Sequence, residues 1–157
     1  MKFIALTQGK QAVVDDDDFD KLSKFKWYAL CDSKEVLFYA VRNNIGKNKP
    51  TTIRMHRVIM DAPDGLLVDH ISHDPLDNRK QNLRICTQAE NQRNRKGVNI
   101  GSTSGIRGIH KNGNNWMARI GINGVIKNLG TFKRKEDAAA TYLRANKKYF
   151  GEFGGNQ

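Results

Sequence analysis

Cysteine is nearly missing from this chain, and the shortage removes whole classes of protein. Its two cysteines, Cys31 and Cys86, stand far apart with no Cys-x-x-Cys pair. That argues against a disulfide framework and a zinc site, and it suits the reducing conditions of a cytoplasm. Long apolar runs are missing too. Leu66-Leu67-Val68 is typical of the longest, far short of the roughly 20 residues that cross a bilayer, so no membrane partner is expected. The opening Met1-Lys2-Phe3-Ile4 runs directly into alternating sequence and does not resemble a signal peptide. Acidic groups are scarce beside basic ones: 16 Asp and Glu against 27 Lys and Arg leave a net charge of +11. A chain that basic calls for a polyanion, and nucleic acid is the first candidate.

What is present is enough to fold. Hydrophobic residues make up 38% of the chain, too many for a disordered tail. Length alone permits one domain, but turn signals divide the 157 residues into two or three small pieces, each with limited apolar surface to bury. The charge divides in a similar way. Residues 1–60 carry 11 basic and 7 acidic groups, residues 61–97 carry 6 of each, and residues 98–157 carry 10 and 3. A neutral middle between basic flanks is odd for a protein that only binds. It is expected where carboxylates must sit near a phosphate, which a metal cation makes tolerable.

Residues 1–60 read as a β-rich segment. Lys26-Trp27-Tyr28-Ala29-Leu30 and Leu37-Phe38-Tyr39-Ala40-Val41 have the composition of strands, and Asn43 to Pro50 reads as a basic loop. The run Asp15-Asp16-Asp17-Asp18 suits a short helix ending near Lys24, since acids favour a helix N-terminus. A solvated first turn is preferred there over a metal site. Residues 61–97 open on the turn Pro63-Asp64-Gly65. A strand from Leu66 to Ile71, a polar loop and a strand Asn82-Leu83-Arg84-Ile85 follow. Thr87 and Glu90 then form a capping box, opening a helix expected to reach Lys96 and stop at Gly97. Residues 98–104 read as a linker. In residues 105–157, Asn112-Gly113-Asn114 and Asn123-Gly124 are hairpin signals between three short strands. A helix from about Lys135 to Tyr149 follows, with Ala138, Tyr142, Ala145 and Tyr149 on one face. The expected class is α+β.

The middle segment carries the chemistry. Val68-Asp69-His70-Ile71, Leu76-Asp77-Asn78-Arg79, Asn82-Leu83-Arg84, Thr87 and Asn91-Gln92-Arg93-Asn94-Arg95 together resemble the HNH endonuclease family over about 35 residues. Met55-His56-Arg57 upstream looks like the lead-in of many phage-type members. The resemblance implies a ββα-metal module at 61–97 and a one-metal mechanism. Asp69 offers a carboxylate and Asn91 an amide oxygen, hard ligands suited to Mg²⁺, with Mn²⁺ as a substitute and no zinc. His70, with an ordinary pKa of about 6.5, is suited to take a proton from attacking water. By resemblance Asn82 stabilises the loop and orients that histidine. Neighbours on a regular strand face opposite ways, so Asp69 and His70 converge only if the strand ends or twists between them. His56 and His110 are read as structural, and His73 as a loop filler. Asn78 stays open, since asparagine commonly serves turns. Arg79, Arg93, Arg95 and Lys96 are expected on phosphates.

Residues 102–157 resemble the apetala-type (ethylene-response-factor) DNA-binding domain. The matching elements are Ser104-Gly105-Ile106-Arg107-Gly108, Trp116-Met117-Ala118-Arg119-Ile120, Leu129-Gly130-Thr131-Phe132, Glu136 through Tyr142, and Phe150-Gly151. The resemblance implies a three-stranded sheet laid into the major groove. Arg134 stands where a Ser or Thr cap is usual. Strand parity puts Trp116, Ala118 and Ile120 on the core face, so Trp116 is read as core rather than as a base-stacking residue. Arg107, Lys111, Arg119 and Asn128 are then the expected DNA contacts, Arg and Asn being the usual readers of guanine and adenine. The expected function is a site-directed, homing-type DNA endonuclease acting on double-stranded DNA, with a homodimer possible if both strands are cut. The alternatives are a DNA-binding regulator with an inactive nuclease module, and an RNA-binding protein. Whether the N-terminal segment completes the nuclease core or contacts DNA stays open.

Overall fold

The computed structural model describes residues 1–32, 37–45, 50–94 and 104–154. The chain forms two compact units, Met1–Asn91 and Gln92–Gln157. In the first, strands β1 (Lys2–Ala5) and β2 (Gln11–Val14) pair as an antiparallel hairpin, and helix α1 (Asp16–Leu22) follows. Strands β3 (Tyr28–Asp32), β4 (Leu37–Ile45) and β5 (Pro50–Arg54) make an antiparallel sheet in that order. Helix α2 (Met55–Met60) leads to the pair β6 (Leu67–His70) and β7 (Leu83–Cys86), and helix α3 (Gln88–Asn94) follows, its last three residues belonging to the second unit. Ile4, Ala12, Val14, Leu22, Trp27, Ala40 and Met55 lie in one core, with Leu76 packed against it.

Residues 1–60 and 61–91 are stitched together. Val13 N–H donates to the Leu76 carbonyl and Asn78 N–H to the Val13 carbonyl, both at 2.8 Å. The acidic run has a job here beyond opening α1. Asp15 Oδ2 accepts the Lys80 N–H at 2.8 Å, and Asp18 Oδ2 lies 2.9 Å from Lys80 Nζ, an ion pair in distance though not aligned as a hydrogen bond. Helix α2 adds a helical turn at the end of a segment read as β-rich. Its first two residues, Met55 and His56, are both buried, and Asp61 closes it in the left-handed region at φ 45°. Arg57 then ties the helix to the approach of β6, with Nη1 donating to the Leu66 carbonyl at 2.7 Å and Nη2 to the Ala62 carbonyl at 3.0 Å.

In the second unit, β8 (Ile109–Asn112), β9 (Asn115–Ile122) and β10 (Val125–Phe132) form an antiparallel sheet packed on helix α4 (Lys135–Phe150). Asn123 and Gly124 take φ 49° and 82°, the positive pair a two-residue hairpin turn requires. Ala118, Ile120, Ala138 and Tyr142 are buried between sheet and helix as parity predicts, with Trp116 partly buried there. Arg134 caps α4 without a side-chain hydrogen bond. Tyr149 departs from the expected face. It is exposed and its hydroxyl accepts from Lys127 Nζ at 3.0 Å, while Phe150 packs into the core in its place. A phenol gains more from a cation and water than from an apolar wall.

Gly108, at φ +73°, is where this unit tolerates no side chain. A Cβ there would run into the Tyr142 ring and the Arg119 carbonyl. Gly108→Ala is therefore expected to destabilise the second unit by about 2–3 kcal/mol or more, read as a lower urea midpoint. An unchanged midpoint would show that Tyr142 yields without cost.

Candidate active site

The site is built on the β6–β7 pair and the loop between them. Asn82 ends a short 3₁₀ turn, Lys80–Asn82, and its side chain is buried. Its Oδ1 accepts the Ser72 N–H at 2.9 Å and its Nδ2 donates to the Asp77 carbonyl at 2.8 Å. Its backbone carbonyl also accepts the Ile71 N–H at 2.8 Å. Asparagine suits this place because one short side chain offers both a donor and an acceptor. The loop so held brings Asp74 and Asp77 near enough to His70 to act on it electrostatically.

Asp69 and Arg84 face each other across the strands. Both are buried, and Arg84 donates twice to Asp69 Oδ2, from Nε at 2.9 Å and Nη2 at 2.7 Å. Arg84 stands in the Asn82-Leu83-Arg84 element with no local signal in the sequence of this partner. His70 is the last residue of β6 and pairs in register with Leu83 as Asp69 does with Arg84, so the strand runs through both residues. Its Nε2 is buried with no hydrogen-bond partner. Asn78, 1% exposed, directs its amide toward the ring; it biases the ring toward protonation but is not aligned as a full hydrogen bond, so Asn78 Oδ1 is also left over. Burial holds the His70 pKa below the usual histidine range, with Asn78 and the carboxylates of Asp69, Asp74 and Asp77 pulling the other way. A neutral imidazole results, the form that accepts a proton.

Two more rings surround it. His56 from α2 meets His70 at a centroid distance of 5.0 Å, and Tyr39 from β4 lies 6.2 Å from His70 and 6.1 Å from His56. Burial first, then the charge fields of His70, Arg54 and Arg57, push the His56 pKa down to about 3. His56 was read as structural, and a single histidine on a short helix gives no sign that it will lie against another.

Residues 55–93 match the HNH endonuclease family. The chain is also 31% identical, over 160 aligned residues, to an uncharacterized HNH endonuclease of Acanthamoeba polyphaga mimivirus, covering 96% of this chain and 78% of that one. The chain belongs to the HNH endonuclease family. Nucleases of this family are metal-dependent.

The residues of this HNH protein fit a hard divalent cation. Asp69 supplies a buried carboxylate, and His70 Nε2 and Asn78 Oδ1 are buried without hydrogen-bond partners among the described residues. Asn91 is half-buried one turn into α3, its N–H donating to the Thr87 carbonyl at 3.0 Å. The capping box forms as expected, with Glu90 Oε2 accepting the Thr87 N–H at 2.8 Å. No three His, Cys, Asp or Glu side chains cluster as a metal site among the described residues.

The expected phosphate contacts divide. Arg79 is forked onto Asp77, Nε to Oδ1 at 2.8 Å and Nη2 to Oδ2 at 2.6 Å. In the second unit, Arg93 stacks on the Phe150 ring at 4.6 Å and Arg107 Nη1 donates to the Arg93 carbonyl at 2.8 Å. Arg119 and Asn128 are exposed and directly opposite each other. Lys111 does not join them. It pairs with Trp116 and so takes the helix side of the sheet, whereas His110, paired with Met117, has the outer side. Counting from Trp116 across the hairpin would have shown this. Arg95 and Lys96, and residues 98–103 of the expected linker, lie outside the described residues.

Two stability measurements follow. Arg84→Met leaves the Asp69 carboxylate buried without its counter-ion and should cost about 3–5 kcal/mol in urea unfolding. A loss under about 1 kcal/mol would mean that water or another cation replaces the guanidinium. His56 titrates at 6.5 when exposed and at about 3 when folded. The unfolded chain therefore holds the extra proton between those values, and this contribution is complete above pH 6.5 and lost as pH falls toward 3. His56→Phe should flatten that acid dependence, and an identical pH profile for both proteins would refute it.

Proposed function

We propose that this chain is a site-directed DNA endonuclease of the homing type, which hydrolyses phosphodiester bonds with a single divalent cation, Mg²⁺ or Mn²⁺. One observation carries the reading: His70 is buried and uncharged, with Nε2 unsatisfied, beside the buried carboxylate of Asp69. In our reading Asp69 and Asn91 hold the cation. When bound, such an ion absorbs negative charge on the phosphate and leaving oxygen. His70 accepts the proton of the attacking water, and the neighbouring carboxylates stabilise the imidazolium that results. Asn82 keeps the loop closed so that His70 stays at the end of its strand. The net charge of +11 favours a polyanionic substrate. No helix among the described residues is long and apolar enough to cross a membrane.

For the second unit we propose double-stranded DNA contact through the outer sheet face, on the likeness to apetala-type domains set out above. Arg119 and Asn128 present the side chains that read guanine and adenine. One centre per chain suits a single-strand nick, and a double-strand cut would require two copies.

A regulator that binds DNA without cutting it is the second reading, and the Arg84 guanidinium on Asp69 favours it, since that oxygen is already engaged. Supercoiled plasmid incubated with Mg²⁺ or Mn²⁺, and then with chelator, separates the two. Cleavage that needs the metal supports the nuclease, and binding without strand breaks supports the regulator. His70→Ala should abolish cutting and leave DNA affinity intact. Near-normal cleavage by that variant would remove His70 from the chemistry.

A further inference from the structure

Polar contacts leave one edge of the His70 ring without a hold among the described residues. Its Nε2 has no hydrogen-bond partner, and the Asn78 amide lies alongside without full alignment. The outer torsion of histidine is soft and roughly two-fold. A flip exchanges the edge carrying Nδ1 for the edge carrying Nε2, and with it the lone pair that the ring offers. Only one of those arrangements serves a base.

Aromatic packing constrains the ring on its other sides. The His56 and His70 planes cross at 86°, with centroids 5.0 Å apart. Tyr39 meets both at 70° and 60°, from 6.1 and 6.2 Å. These are the edge-to-face spacings that aromatic pairs prefer. His56 is 4% exposed and follows Met55, which has no exposed surface. Its own plane is therefore set by the core, through a helix that Arg57 anchors to the approach of β6.

We propose that His56 is a positioning residue for His70: its ring plane selects the orientation of the His70 imidazole and so the nitrogen presented to the attacking water. This rests on the reading of His70 as the base. His56 works as a surface and not as a second proton acceptor, since burial keeps it uncharged down to about pH 3.

A planar face is something a phenyl group retains and an isobutyl group lacks, so His56→Phe and His56→Leu form the test. Single-turnover plasmid cleavage and DNA affinity are measured for both, alone and combined with His70→Ala. His56→Phe should cleave within about threefold of the unsubstituted enzyme. His56→Leu should be slower by roughly 10- to 100-fold, the scale of a misplaced catalytic group, at unchanged DNA affinity. Any residual single-turnover cleavage that His70→Ala retains at high enzyme concentration should be slowed no further by His56→Leu, because it acts only through His70. Nitrogen-labelled histidine gives a readout independent of turnover: His70 should show one ring environment with His or Phe at 56 and two exchanging ones with Leu. The proposal is overturned if Phe and Leu behave alike in rate or in spectrum. It is also overturned if Leu slows the His70→Ala enzyme as much as it slows the unsubstituted one. Normal cleavage by His70→Ala alone instead brings down the base assignment itself.

Discussion

Four hydrogen bonds converge on Asn82: its amide holds Ser72 and Asp77, its carbonyl holds Ile71, and its N–H reaches the Arg79 carbonyl at 2.8 Å. They close the loop joining two four-residue strands, too short to fix their own pairing. A slip of one residue would turn every side chain to the opposite face. With the loop closed, Asp69 lies opposite Arg84 and His70 opposite Leu83. The carboxylate then has its counter-ion, and the imidazole falls at the strand end where the loop carboxylates come near it. Lys80, clamped by Asp15 and Asp18, fixes the start of the same 3₁₀ turn from outside.

The neutral charge of residues 61–97 has a more specific cause than a phosphate requirement. Asp69 is paired with Arg84 and Asp77 with Arg79, each within the segment, and Lys80 is paired with Asp18 outside it. These cations were candidates for phosphate contact or had no assigned role, and in the fold they support carboxylates. Positive charge left for DNA then lies more on the flanks, where Arg119 on the outer sheet face has no carboxylate directly across from it. In the proposed reading, charge that supports the carboxylates and charge that meets the polyanion are then separated along the chain.

Local signals were legible in the sequence wherever one short stretch decides the structure. The Thr87–Glu90 capping box, the Asn123-Gly124 turn and the inward parity of Ala118 and Ile120 are of that kind. What escaped depends on contacts between distant segments. The pairing of Asp69 with Arg84 needs a register that no single strand specifies. Helix α2 is six residues long, less than two turns, so hydrophobic periodicity has no room to declare itself. Lys111 was misplaced for a related reason: its side of the sheet follows from Trp116 on the next strand and not from its own neighbours. Tyr149 obeys helical spacing, yet the exposed Lys127 and the apolar Phe150 compete for where the helix end turns.

The ring cluster also explains why residues 1–60 and the catalytic loop share one compact unit. Two of its three rings, Tyr39 and His56, come from the first 60 residues, and the third is the proposed base. A ββα module cut off at residue 61 would keep Asp69, His70, Asn82 and Asn91 but would expose one whole side of the imidazole. Water at that side would solvate the ring, raise its pKa toward the ordinary 6.5 and free its torsion. Both changes work against a base that must be uncharged and correctly turned near neutral pH. In the proposed reading, Tyr39 on β4 and His56 on α2 act on the chemistry by burying the His70 ring.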